Sequence, residues 1–415
     1  MITLVEALNY RCLRYIRRSL DSFHVLVGPN ASGKTTFLDT VAFAGRLVSE
    51  GLDAAVTERT QNFQDLVWNR GLGGFELALE AQIPAELREK LGNADFRFIR
   101  YEVSVAPDRS SGEISILTER AILKVDTDAD RAVQRVLFPS PPVPPVSILS
   151  AKAKGSKTVV NKVEGGNDNF YDETGKGWDH SFRLGPRKSA LGNLPEDESK
   201  FPVATWLKRL LIEGVQQLVL NSLLIRKASP PGQVRGFKPD GSNLPWVIDG
   251  LQKGSLERFE EWIAHIRTAF PDIDGIRTME RADDKHRYLV IRYRGGLEVP
   301  SWMASDGTLR LLALTLPAYL PQLRGIYLIE EPENGIHPRA VETMFQSLSS
   351  VYGAQILVAT HSPVILGIAP TESVLCFAKS AEGATDIVRG DQHPILQEWR
   401  GETNLGTLFA AGVLG

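Results

Sequence analysis

Two short stretches carry residue types suited to work on the phosphates of a nucleotide. The first, "GPNASGKTT" at 28–36, matches G-x-x-x-x-G-K-[ST] through Gly28, Gly33, Lys34 and Thr35. Its glycines let the backbone curl so that successive N–H groups face inward, which is what an anion needs. Lys34 would set a cation against the β- and γ-phosphates, and Thr35 would offer its hydroxyl to Mg²⁺. Gly28, Pro29, Asn30, Ala31, Ser32, Gly33, Lys34, Thr35 and Thr36 are therefore the candidate nucleotide-binding residues. The alternative is a glycine-rich strand-to-helix turn with no ligand.

The second stretch, "LIEEPENGIHP" at 328–338, is an apolar run that ends in acid. Carboxylates at a buried strand end are costly unless a cation meets them. In a P-loop ATPase a second strand ends in a carboxylate that holds Mg²⁺ through water, and the next carboxylate polarises the attacking water. Glu330 is assigned the first role and Glu331 the second. The usual pair is Asp-Glu, so Glu330 is a departure whose extra methylene still reaches a water-bridged ion. The competing reading is a solvated acidic loop after an edge strand. A third glutamate, Glu333, receives no role from its position alone.

These residues need strands to carry them and helices to follow. "HVLV" precedes the glycine turn as a strand, and "TTFLDTVAFAGRLVSEG" follows with Phe37, Leu38, Val41, Ala42 and Leu47 close to one helical face. "ITLVEALNY", "FELALEAQI", "FRFIRYEVSVA" and "EISILTERAILKV" predict an N-terminal antiparallel meander. Five prolines within "FPSPPVPPV", 138–146, exclude a helix interior or a central strand, and an irregular excursion is expected from there to about Ser199. "PVATWLKRLLIEGVQQLVLNSLLIRK" and "SLERFEEWIAHIRTAF" predict helices. Strands "RYLVIRYR", "GIYLIEE", "QILVATHS" and "SVLCFAK", separated by helical segments, then give a parallel-sheet rhythm. The expected fold is α/β, a P-loop NTPase with a mixed or parallel sheet, the antiparallel meander and a largely helical inserted lobe. Its halves would be 1–135 and 285–415, with the lobe at 136–284.

Composition narrows the partners. With 43% hydrophobic and 23% charged residues, neither a disordered nor a fibrous class fits. A net charge of −3 supplies no global pull toward nucleic acid or an anionic membrane. Cys12 and Cys376 are far apart and form no metal-binding spacing. No stretch approaches the roughly eighteen apolar residues of a spanning helix, so a cytoplasmic protein without a membrane partner is expected.

"MASDGTLRLLALTLPAYLPQLRGIYLIEEPENGIHP" followed by "QILVATHSPVIL" resembles the ABC-type ATPase heads of the SMC, RecF and OLD group, in the branch common among bacterial AAA-type ATPases of defence cassettes. The resemblance spans roughly 1–135 and 285–415. It implies ATP and Mg²⁺ as ligands. It places "ASDGT" at 304–308 where an ABC signature has LSGGQ, with Ser305 and Gly307 keeping the hydroxyl and small positions and Asp306 replacing a glycine. As chemistry, Ser305 caps a helix whose N-terminus would meet a γ-phosphate; a plain core-helix cap is the alternative. The resemblance also implies that His361, in "ATHSP", is a switch residue near the γ-phosphate, which makes Glu331, His361 and Lys34 the catalytic candidates. It implies a head-to-tail homodimer sandwiching two ATPs, and Asn334 and His337 as residues facing the opposite site. A Q-loop glutamine should bind Mg²⁺; Gln61 and Gln64 are options without a deciding feature, and Arg11 is a further candidate.

OLD-type relatives carry a nuclease-like Toprim domain after the head. About fifty residues follow "THSP" here, so no such domain is expected and a separately encoded effector, a nuclease or toxin in an anti-phage cassette, is implied. The alternative is a RecF-like repair ATPase that binds DNA through Lys152, Lys154, Lys157, Lys162, Arg183, Arg187 and Lys188, among which Glu164, Asp168, Asp172 and Glu173 are interspersed.

Overall fold

The period-two runs of the first 124 residues pair as predicted. In the computed structural model, β1 (Ile2–Tyr10), β2 (Leu13–Ser19), β4 (Phe75–Gln82), β5 (Phe98–Pro107) and β6 (Ile114–Lys124) form neighbouring antiparallel strands, and β3 (Phe23–Val27) belongs to a different sheet. The structure describes residues 1–92, 95–108, 110–127, 137–151, 154–175, 179–234, 236–397 and 406–407. Two compact units divide the chain: Met1–Val215 with the described residues 371–397, and Gln216–Pro370 with Gly406 and Thr407.

In the first unit the expected irregular excursion contains sheet. β7 (Ser156–Val163), β8 (Asp168–Phe170) and β9 (His180–Phe182) extend the meander to eight strands in the order β2-β1-β4-β5-β6-β7-β8-β9. The strand signal in "SKTVVNKV" is short, and lysine and asparagine mask its alternation. Its inner residues Val159 and Val160 are nonetheless fully buried. The proline-rich stretch pairs with no strand, because proline offers no ladder donor. Side chains of the sheet hold the backbone just after it: Glu76 accepts from the Ile148 N–H at 2.7 Å, Glu102 from the Ser150 N–H at 2.9 Å, and Arg100 donates to the Ile148 carbonyl at 3.0 Å.

Helix α1 (Lys34–Glu50) turns Phe37, Val41, Phe43 and Leu47 inward. Tyr10 of β1, Phe43 of α1 and Phe75 of β4 pack edge to face with centroids 4.9 to 5.7 Å apart, tying the helix to the meander. Short helices α2 (Leu52–Thr57) and α3 (Ala85–Arg88) follow. The stretch from Pro202 to Arg226, read as one helix, is broken in three. α4 (Pro202–Arg209) runs into a π-turn at Leu210–Gly214, β10 (Val215–Leu218) follows, and α5 (Ser222–Arg226) restarts under an Asn221 cap that accepts from the Leu223 and Leu224 N–H groups. Gly214 ahead of β-branched Val215, and the capping asparagine, override the apolar periodicity.

In the second unit α6 (Leu244–Gly254) and α7 (Leu256–Ala269) pack with a three-stranded antiparallel sheet of β11 (Ile273–Glu280), β12 (Arg287–Tyr293) and β13 (Glu298–Pro300). "RYLVIRYR" was expected in the parallel sheet; it is β12 of this separate hairpin sheet, because both of its neighbours pair with it antiparallel. α8 (Asp306–Thr315) leads to β14 (Gly325–Glu330), α9 (Pro338–Ser349) crosses over, and β15 (Ala354–Ala359) pairs with β14 in parallel from Gly325–Ala354 to Glu330–Ala359. α10 (Pro363–Ile368) closes the unit. Back in the first unit, β16 (Val374–Lys379) pairs in parallel with β3 and antiparallel with β17 (Thr385–Arg389), and α11 (Pro394–Gln397) follows. Among the described residues no helix is long and apolar enough to cross a membrane.

Candidate nucleotide site and its acidic turn

The glycine turn of the first unit is a backbone cradle. Gly28 (φ +150°) leaves β3, Ala31 (φ +62°) turns, and Gly33 (φ +107°) starts α1. The positive φ values at Gly28 and Gly33 fit only glycine comfortably, and space forbids a side chain as well. A Cβ on Gly28 would lie 2.2 Å from the Phe377 carbonyl of β16, and one on Gly33 would lie 2.4 Å from Thr385 Oγ1 of β17. The C-terminal hairpin thus props the turn, and Thr385 also donates its hydroxyl to the Ser32 carbonyl at 2.9 Å.

Several features of this cradle suit a triphosphate and its metal. α1 starts with no side-chain cap and no acid in its first turn, so its leading N–H groups have no helical partner. Lys34 is buried, and its ammonium donates to the carbonyls of Gly28 at 2.8 Å and Pro29 at 3.0 Å. Ser32 Oγ is buried without a hydrogen-bond partner among the described residues. Pro29, Asn30, Ala31 and Thr35 are exposed, and Thr36 Oγ1 stands 3.4 Å from Cys12 Sγ. Arg11 pairs with Asp39 of α1 at 3.2 Å, and Asp39 also receives Tyr10 and Arg59. Arg11 is thereby part of the packing of α1.

The acidic turn belongs to the second unit. β14 delivers half-buried Glu330, and exposed Glu331 follows with φ +46°, a conformation that L-residues seldom hold. Two backbone bonds fix it: the Glu331 N–H donates to the Ala359 carbonyl at 2.7 Å, and the Asn334 N–H donates to the Glu331 carbonyl at 3.0 Å. The Asn334 amide donates to the Glu331 carboxylate. His337 caps α9, its Nδ1 accepting from the Arg339 N–H at 3.2 Å. His361 lies half-buried just past β15.

Ser305 caps α8 as expected, accepting from the Thr308 N–H at 3.1 Å. A carboxylate at a helix N-terminus weakens its pull on an anion, and Asp306 puts one there. Two arginines offset it: Arg226 at 3.7 Å and Arg310 at 3.5 Å. Gly307 is required by packing, since a Cβ there would lie 2.5 Å from the Gly335 carbonyl. Arg310 donates to the Asn334 carbonyl at 2.9 Å. Signature segment and acidic turn are therefore joined within one unit.

Sequence reasoning missed Gln217. It lies on β10, its amide 3.5 Å from Glu330 Oε1, and with Arg310, Glu330 and Glu331 it lines a cleft of about 210 Å³. Gly214 before β-branched Val215 was the available signal, but the surrounding helical periodicity concealed the strand. Gln61 is exposed and Gln64 sits in a short 3₁₀ turn of the first unit. Of the basic residues considered for DNA, Lys162 is buried against Asp168, Lys157 donates to the Glu173 carbonyl, and Arg187 pairs with Asp53 and Glu113. Lys152 lies outside the described residues.

Comparison with known proteins identifies the fold and the family. The crystal structure of an SmcHead bound to the C-winged helix domain of ScpA is similar with a TM-score of 0.52 at 13% identity, over 93% of this chain and 97% of that one. An Smc head domain with an extended coiled coil, bound to the C-terminal domain of ScpA and derived from Pyrococcus furiosus, gives 0.50 at 13% identity, over 93% and 95%. Likeness at such identity shows the fold alone, that of an Smc head domain, which is the fold the sequence implied. A search of curated proteins returns no match. One family pattern, described as "AAA domain, putative AbiEii toxin, Type IV TA system", matches residues 23–133 and 167–367. With most of its length matched, the chain belongs to this AAA family, the AAA_21 domains, whose architecture is that of an ATPase head.

Proposed function

We propose that the protein binds and hydrolyses ATP as a switch: two copies join head to tail around ATP, part after hydrolysis, and so control a separately encoded effector, a nuclease or toxin, in bacterial anti-phage defence. The observation that carries the reading is the cradle at 28–36, an uncapped helix N-terminus with a buried lysine and two glycines that tolerate no side chain. The family description names a toxin–antitoxin system, which supports a two-component cassette. The similar Smc heads are titled as bound to ScpA domains, which supports docking of a partner protein.

The division of labour follows from side-chain chemistry. The N–H groups from Asn30 to Thr36 and the Lys34 ammonium bind the phosphates. Thr35 and Glu330 would hold Mg²⁺, with Gln217 beside Glu330; the ion would neutralise charge on the phosphate oxygens. Glu331 orients the attacking water and accepts its proton, and His361 hydrogen-bonds the γ-phosphate side of the site. Ser305 and the N-terminus of α8 complete the site of the opposite copy, the charge of Asp306 being offset by Arg226 and Arg310.

Nucleotide titration and steady-state turnover test this directly. Lys34→Ala should lose Mg-ATP binding. Glu331→Gln should keep it, slow turnover about 100- to 1,000-fold, and accumulate as an ATP-dependent dimer on a sizing column. Normal turnover by Glu331→Gln would overturn the assignment of the carboxylates, and ATP-independent elution would overturn the dimer switch.

A further inference from the structure

Glu333 is the glutamate of the acidic turn with no part in the reaction outlined above, and the second unit gives it unusual partners. Its Oε1 accepts from the Thr360 hydroxyl at 2.5 Å and from the His361 backbone N–H at 3.2 Å. Thr360 is fully buried, and its Oγ1 also accepts from the Ser362 N–H at 2.9 Å. The three residues that carry His361 from β15 into α10 are thus organised around one carboxylate. Glu333 Oε2 is buried without a hydrogen-bond partner among the described residues. A carboxylate half desolvated in this way is retained at a cost, and its two charge-assisted bonds are stronger than neutral ones.

The same turn touches the other functional segments of the unit. One residue on, Asn334 donates to the Glu331 carboxylate and accepts at its carbonyl from Arg310. Gly335 packs its carbonyl against Gly307. Within four residues the chain therefore grips the water-orienting acid, the switch histidine and the signature helix.

The geometry points to Glu333 as a positioning residue: it ties the Thr360–His361 corner to the acidic turn, so that His361 and Glu331 shift together whenever α8 and the turn are moved by a docking copy. The inference rests on the catalytic reading of His361 given above. Glu333 acts through hydrogen-bond acceptance at Oε1, which makes a specific demand on its replacements. Glutamine keeps an acceptor oxygen there, and alanine does not.

Steady-state ATP turnover and Mg-ATP titration of Glu333→Ala, Glu333→Gln, Thr360→Val, Thr360→Ser and His361→Ala test it. Glu333→Ala should lower kcat about 10- to 100-fold while the affinity of the glycine turn for Mg-ATP stays within about twofold. Glu333→Gln should recover most of that loss. Thr360→Val should lower kcat severalfold and Thr360→Ser should not, and the Glu333→Ala/Thr360→Val double variant should be no slower than Glu333→Ala alone. If Glu333→Ala cannot be purified folded, the Thr360→Val and Thr360→Ser pair decides. Wild-type kcat in Glu333→Ala and Thr360→Val beside a slow His361→Ala would overturn the positioning role alone, as would a Glu333→Gln as slow as Glu333→Ala. Wild-type kcat in His361→Ala would instead overturn the reading of His361 beneath it.

Discussion

The glycine turn at 28–36 and the acidic turn at 330–337 are built on opposite plans. The first is backbone: the leading N–H groups of α1 have no side-chain cap, its curvature depends on Gly28 and Gly33, and the β16–β17 hairpin fills the space any side chain would need. The second depends on side chains: Asn334 holds the Glu331 carboxylate, Arg310 of α8 holds the Asn334 carbonyl, and Thr360 just past β15 holds Glu333. A backbone site tolerates little variation at its glycines and much elsewhere, because N–H groups are common to nearly all residues. A side-chain relay makes the reverse demand: each partner must keep its donors or acceptors.

The sharpest break of this contrast is Gly33→Ala. A methyl group there meets Thr385 Oγ1 at 2.4 Å in a backbone conformation alanine avoids, so ATP affinity should fall more than about 100-fold in calorimetric titration. Adding Thr385→Ala removes the clash and leaves the strained φ, so it should recover only part of the loss. Full recovery would mean that packing alone, and not backbone conformation, selects glycine.

Arg310→Ala probes the relay at its outer end. It removes the bond to the Asn334 carbonyl and one of the two cations beside Asp306. Turnover should fall about 5- to 20-fold, with Mg-ATP binding to the glycine turn unchanged within twofold, since the lost contacts are partly exposed. Equal losses in both measurements would erase the distinction between the two turns.

A smaller effect concerns the frame of the first unit. Glu173 accepts from the Val203 and Ala204 N–H groups at the start of α4 at 2.7 Å, yet burial pushes its carboxyl up to about 7. A carboxyl raised above its unfolded value binds a proton in the folded state first. Its contribution is therefore fully present below about pH 4.5 and is lost as pH rises through about 7. Glu173→Gln should flatten the decline in urea-unfolding stability between about pH 5 and 8; an unchanged slope would assign that decline to other groups.

Legibility in the sequence followed the same division. The glycine turn at 28–36 was readable because its glycines stand at fixed spacing between a strand and a helix, and fixed spacing is a local property of the chain. Glu330, Glu331 and Ser305 were readable because a strand end and a helix cap are also local, and the structure places them there. Gln217 was not, since its strand lies inside a stretch whose apolar period is helical. β7 escaped because its polar face resembles a loop, and β12 was given a parallel sheet because strand periodicity says nothing about partner or direction.

By itself, then, the sequence determined which residues could meet phosphate, metal and water, because those chemistries are written in residue type and short spacing. Only the tertiary structure decided why Gly33 and Gly307 admit no side chain, what offsets Asp306, and what Glu333 holds. Each of those answers is a contact between residues that the chain separates by up to about 350 positions, and only folding brings such groups within hydrogen-bond reach.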